Sequence, residues 1–257
     1  MKRLILSSAL LVLVGLRAVS QDITIPKFPD GEIPVLNGEL CDLWKRVTAH
    51  EVPVNLEQPS GHSFFGGEVR LAWNDTALFI VMDAINDPFR HQWLTGKDDW
   101  QSDRSELFIS VNPERKADRG AEPDIAGQGY ENGFYQFVSA WLANDDATAP
   151  KTPVIEYNHT QWPENKPFHR AYTIDLETGE WVWEVVLPYR MLTYLDEATE
   201  EDIPFAGTKG AQFDFGIHAV GCLGEGSDYE RTSHTFYSGG WGSFANTATV
   251  ELGEALP

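Results

Sequence analysis

Cysteine is almost missing: in 257 residues only Cys41 and Cys222 occur. Two thiols cannot build the disulfide framework of a small secreted domain, nor a four-thiolate metal site. In an oxidising compartment they can pair and close a long loop, or serve as small buried hydrophobes; both readings stay open. Positive charge is scarce as well, with 19 Lys and Arg against 39 Asp and Glu and a formal net charge of −20. A surface of that sign repels nucleic acid and anionic lipid, and suits a neutral ligand or a cation. The seven histidines show no HExxH or other paired spacing, which argues against zinc. Nucleophile elbows, a Ser-His-Asp set and a phosphate loop are also missing. Stretches of 3.6-residue period are nearly absent, which argues against a helical fold.

The one long apolar run lies at the start. Lys2 and Arg3 precede Leu4–Gly15, and Ala18-Val19-Ser20 supplies small residues at −3 and −1 before Gln21. This is the pattern of a cleaved export signal, and the run is shorter than the ~20 residues a bilayer requires. Removing residues 1–20 takes Lys2, Arg3 and Arg17 away, so the formal charge moves from −20 to about −23. The expectation is a secreted or periplasmic protein without membrane insertion.

What remains reads as strands. Residues 69–84 form a hairpin about Asn74-Asp75, with Val69, Leu71 and Trp73 on one buried face and Arg70 and Ala72 opposite. In 104–111, Leu107, Ile109 and Val111 alternate with Arg104, Glu106 and Phe108. Residues 134–142, 181–187, 212–220 and about 247–252 continue the pattern. In 212–220, Phe213, Phe215 and Ile217 face one way, and Gln212, Asp214 and His218 the other. A short helix is expected over Tyr189–Leu195. Segments 112–130 and 144–168, rich in Pro, Asp, Asn and Glu, read as surface loops. The expected architecture is all-β, one antiparallel β-sandwich over 33–253, after a signal at 1–20 and an extension at 21–32, with a tail at 254–257.

Eight of the nine tryptophans divide by position. Trp44, Trp73, Trp181 and Trp183 are in phase with apolar faces and read as core. Trp93, Trp100, Trp162 and Trp241 fall where turns are expected; there an aromatic either folds back over the sandwich or covers a ligand, and the C–H face of a pyranose is a natural cover. Taken in order, LNGELCDLW (36–44), VRLAWNDTALFIVMDAIND (69–87), WQSDRSELFISV (100–111), GEWVWEVVLPYRML (179–192), FDFGIHAV (213–220) and WGSFANTATVEL (241–252) resemble the family 9 carbohydrate-binding module, a DOMON-like β-sandwich. The resemblance spans about 33–253.

That resemblance implies non-catalytic binding of a glycan, its terminal sugar held between two tryptophans. Trp100 and Trp241 match that pair, Glu106 matches a sugar-binding glutamate, His218 stands where a contacting glutamine is found, and Arg231 lies near a family arginine. Three departures accompany it: Val138 replaces an arginine, Ser238 an amide and Gly221 an acid. The resemblance also implies structural calcium, for which Asp87, Asp98, Asp99 and Asp103 offer hard oxygen ligands; a solvated acidic turn is the other reading. No cofactor is otherwise required. The partners implied are a glycan or polysaccharide and, through it, glycan-degrading enzymes. A retaining glycosidase needs two carboxylates on one face, whereas Asp103 and Glu106, three apart on a strand, face opposite sides. A haem-binding sandwich would need Met82 or Met191 as ligand, yet both read as packed residues. An adhesive sandwich without a sugar ligand is the remaining alternative.

Overall fold

The computed structural model describes residues 22–52, 67–85, 104–112, 133–141, 153–158, 169–174, 180–196, 198–223, 230–236 and 247–257. The strands are β1 (Asp22–Lys27), β2 (His50–Val52), β3 (Gly67–Trp73), β4 (Ala77–Ile85), β5 (Arg104–Ser110), β6 (Phe134–Trp141) and β7 (Pro153–Asn158). They continue as β8 (His169–Ile174), β9 (Glu180–Pro188), β10 (Thr193–Asp196), β11 (Glu201–Pro204), β12 (Gln212–Leu223), β13 (Glu230–Phe236) and β14 (Ala248–Ala255). Helix among the described residues is confined to α1 (Asp42–Lys45) and a 3₁₀ turn at Tyr189–Met191.

Hydrogen bonding runs in the order β7-β6-β5-β12-β14-β1-β3-β4-β9-β8, with β13 beside β12 and β2 beside β3. β1 lies parallel to β14 along most of its length but meets β3 only where Lys27 pairs with Trp73. The path therefore turns a corner at β1. The first sheet is β7-β6-β5-β12-β14-β1 with β13, and the second is β3-β4-β9-β8 with β2.

One apolar cluster lies between them. Leu71, Ile80, Met82, Trp183 and Val185 of the second sheet pack with Leu107, Ile109, Phe213, Phe215 and Val250 of the first. Their alternation along each strand is the two-residue period of the pleat. Trp73, Trp181 and Trp183 are all buried here as expected, and so are Met82 and Met191. Replacing a fully buried aromatic such as Trp183 by Ala should cost about 3–5 kcal/mol. Tyr135 ties this core to the short β10–β11 ribbon: its oxygen accepts from the Thr193 amide at 2.7 Å, and its hydroxyl donates to the Thr193 carbonyl at 2.5 Å.

The second sheet is buried on its outer face as well. Phe28, Trp44 and Val47 cover Ala72, Ala77, Phe79 and Val81, with Phe28 edge-on to both Trp44 and Phe79 at 5.3 Å. This corrects the reading of Ala72 as opposite a single buried face: both sides of the hairpin are covered, and Ala72 is fully buried. Four further expectations change. Residues 21–32 are not an extension, because β1 carries Ile23 and Ile25 into the core. The segment 144–168 contains strand β7, and β14 runs two residues past 253. The helix expected over Tyr189–Leu195 is a single 3₁₀ turn followed by β10. α1 was not legible because four residues are too few to show a period. Gly253 is needed where β14 passes β1: a Cβ there would lie 2.5 Å from Thr24 Cγ2. Cys41 is a free thiol, partly buried against the outer cluster of the second sheet.

Candidate functional site

Antiparallel partners on neighbouring strands share one side of the pleat. On the first sheet, Val138, Glu106, His218 and Thr235 are successive partners across β6, β5, β12 and β13. They form one row across the sheet, in which Glu106 lies on the side away from the core. The next row holds Gln136, Phe108 and Gly216, and the one after that Phe134, Ser110, Asp214 and Thr249. Glu106 is 1% exposed and Asp214 3%. Carboxylates on a face that alternation alone would turn to solvent are costly to bury, so this side is not an ordinary wet surface. Arg231 pairs with Cys222, four positions beyond His218 along β12. Val138, the position of a missing family arginine, is the direct partner of Glu106.

β12 has an unusual division of its edges. β5 pairs with residues 214–220 along one edge. Along the other, β14 pairs with 212–215 and β13 with 217–223. The chain thus leaves the sheet at Phe236, opposite Ile217, and re-enters at Ala248, opposite Phe215. Both points lie within three positions of His218 on β12. Trp241 belongs to the residues between them, outside the described residues. Trp100 is likewise outside, four residues before β5, and so are Ser238 and the calcium candidates Asp87, Asp98, Asp99 and Asp103. Among the described residues no group of three or more His, Cys, Asp or Glu is arranged to hold a metal ion. Of the five sugar-binding candidates, the register makes Glu106 and His218 direct partners on β5 and β12 and puts Arg231 on β13 opposite Cys222.

Sequence reasoning missed a buried acid on the second sheet. Glu184 of β9, fully buried on the outer side of the second sheet, accepts the amides of Asn37 and Gly38 at 2.9 and 2.7 Å on one oxygen. Trp44 Nε1 donates to its other oxygen at 2.8 Å. Gly38 takes a φ of 76°, the left-handed region that glycine enters freely, and Thr173 Oγ1 donates to its carbonyl at 2.5 Å. The signal was present as a lone Glu in the run WVWEVVL, but nothing local says which distant segment satisfies it. On the same outer side, burial pushes the Asp83 carboxyl above its ordinary range, helped by the charge of Glu180 and opposed by Arg70.

Residues 36–135 match the family model described as carbohydrate family 9 binding domain-like. A family 9 carbohydrate-binding module from Caldicellulosiruptor kristjanssonii, solved in complex with cellotriose, superposes with a TM-score of 0.59 at 13% identity. That alignment covers 91% of this chain and 94% of the other. A module of the same family and organism in complex with glucose gives 0.55 at 14% identity, covering 90% and 95%. No curated protein matches. Residues 36–135 are thus similar in sequence to the family 9 carbohydrate-binding domains, and the chain as a whole has the β-sandwich fold of that family's solved modules.

Proposed function

We propose that this protein binds carbohydrate without transforming it, holding a glycan end between Trp100 and Trp241 above the Glu106–His218 row of the first sheet. The observation that carries this reading is the register. Glu106 and His218 are direct partners, and the segment bearing Trp241 is rooted beside them at the break between β13 and β14. Trp100 is four residues from the start of β5, a span of at most ~14 Å at 3.3–3.6 Å per residue. Arg104 and Phe236, the two roots, are separated by two strand spacings and about three residue rises, on the order of 14 Å. Both indoles are therefore within chain reach of one sugar ring, whose two faces they would cover while Glu106 selects orientation through charge-assisted hydrogen bonds.

The same geometry favours binding over hydrolysis. The row neighbours of Glu106 are Val138 and His218, and Asp214 is offset from it by four residues, roughly 13 Å along the strand. Glycosidase pairs stand at about 5–9.5 Å. A net charge of −20 suits a neutral glycan, and the export signal read at residues 1–20 would put the protein where polysaccharides are met.

Titration with cellotriose and a panel of soluble polysaccharides tests the reading. Trp100→Ala and Trp241→Ala should each abolish binding and leave the unfolding midpoint nearly unchanged. If both instead destabilise the fold by about 3–5 kcal/mol, as loss of a buried aromatic does, these are packing residues and the reading fails.

A further inference from the structure

A pocket of about 810 Å³ opens at one end of the second sheet, away from the Glu106 row. It lies where the β3–β4 turn, the end of β9, the 3₁₀ turn and the segments 33–36 and 204–207 meet. That volume is within the range of about 300–1,000 Å³ typical of small-molecule sites. Its floor is apolar, built from Leu36, Ala77, Phe79, Val186 and Phe205. Ile33 stands 62% exposed at its lip, beside Val35 at 68%, although both are large apolar side chains in a strongly acidic chain.

The walls are fixed before any ligand arrives. Asn74 Oδ1 accepts from the Thr76 amide, the Thr76 hydroxyl and the Ala77 amide at 2.8–2.9 Å, which locks the turn. The Tyr189 amide donates to the Thr76 carbonyl at 3.0 Å. The Tyr189 ring lies so close over Gly207 that a Cβ there would fall 1.9 Å from a ring carbon. Pre-formed walls remove part of the ordering cost of binding.

The polar groups decide what the pocket takes. Asn74 Oδ1 and the Thr76 hydroxyl are spent on each other and on the turn. Asp75 is paired with Lys27 at 2.8 Å. Arg190 is exposed on the pocket wall, and no acid among the described residues forms an ion pair with it. A sugar needs several converging hydrogen-bonding groups; besides its apolar floor this pocket offers one free planar cation, Arg190, and the buried Tyr189 hydroxyl, which has no hydrogen-bond partner among the described residues. We propose that it is a second ligand site, independent of the glycan site, for a small molecule with an apolar body of aromatic size and a single carboxylate, held by Arg190 through paired hydrogen bonds.

The test uses the full chain, labelled with nitrogen-15, and two probes of equal shape: 3-phenylpropanoate and 3-phenylpropan-1-ol. The acid should give saturable amide shifts at Thr76, Ala77, Arg190 and Gly207, and the alcohol should bind about tenfold or more weakly. Arg190→Gln should bring the affinity for the acid down to that for the alcohol. Leu36→Trp, which fills the floor, should abolish shifts from both. Cellotriose should perturb a separate set of amides in the wild type and in both variants, so loss of the sugar reading leaves this one standing and the reverse. Absence of saturable shifts up to about 10 mM acid overturns the proposal. Equal affinity for acid and alcohol also overturns it, as do shifts of the same amides with protein concentration alone, which would mark a contact between copies.

Discussion

Each sheet of the sandwich buries a glutamate on the side turned away from the core, Glu184 on the second and Glu106 on the first. Glu184, on the second sheet, is enclosed by the segment 37–44, whose two amides and one indole fill its oxygens. Around it the outer face is apolar, with Phe28, Trp44 and Phe79 in edge contact. Glu106, on the first sheet, sits in a row with Val138 and His218 beside the point where the chain leaves and rejoins β12. On the same side of β5 and β12, Phe108, Ser110 and Asp214 are buried as well. For Glu184 the chain's own donors occupy both carboxylate oxygens, which makes it a clamp between β9 and the segment 37–44.

The largest effect is expected at Glu184. Glu184→Ala strips the acceptor from three donors, each costing about 1–3 kcal/mol when buried unpaired. Urea unfolding should show a loss of about 3–5 kcal/mol, with sugar binding intact in whatever remains folded. A loss below about 1 kcal/mol would break the comparison, because the acid would then be no clamp. Glu106→Gln should do the opposite: stability within about 1 kcal/mol of wild type, and affinity for cellotriose lowered at least about tenfold through loss of charge-assisted bonds. Equal destabilisation by Glu184→Ala and Glu106→Gln, with no change in binding, would make the two acids alike in kind.

The smallest effect belongs to Asp83, also on the outer side of the second sheet. Burial, with Glu180 adding to it, holds its carboxyl above the ordinary range, so folding disfavours the ionised form. Stability contributed by this group is full below the unfolded pKa and is lost as pH rises through the folded one. Asp83→Asn should therefore stabilise slightly at pH 7, by under about 1 kcal/mol given its solvent screening. The gain should fade below about pH 4, where the acid is neutral in both states. Unfolding curves at the two pH values check it, and destabilisation at pH 7 would show that Arg70 outweighs burial.

The sequence made the paired strands and the core legible, because alternation in 69–84, 104–111 and 212–220 is dictated by the pleat. It also put Glu106 and His218 on the same side through parity, and the register made them direct partners. Three things were not legible. DITIPK gives no sign of lying parallel to β14, since a parallel neighbour is fixed by long-range topology. PVIEYN forms a strand inside a polar stretch, where pairing with β6 outweighs composition. The roof over Ala72 and Phe79 comes from residues 28–47, and no local pattern in the hairpin reports what a distant segment will cover.

The parallel contact of β1 with β14 has a kinetic side. The first described strand takes as its main neighbour the last one, from Asp22 opposite Thr249 to Lys27 opposite Ala255. During synthesis β1 therefore waits, with its main partner unmade, until β14 has emerged more than two hundred residues later. Closing so long a loop before its contacts reward it slows folding. A strand that stays this long without its main neighbour also keeps an open edge that a wrong partner can take in the meantime.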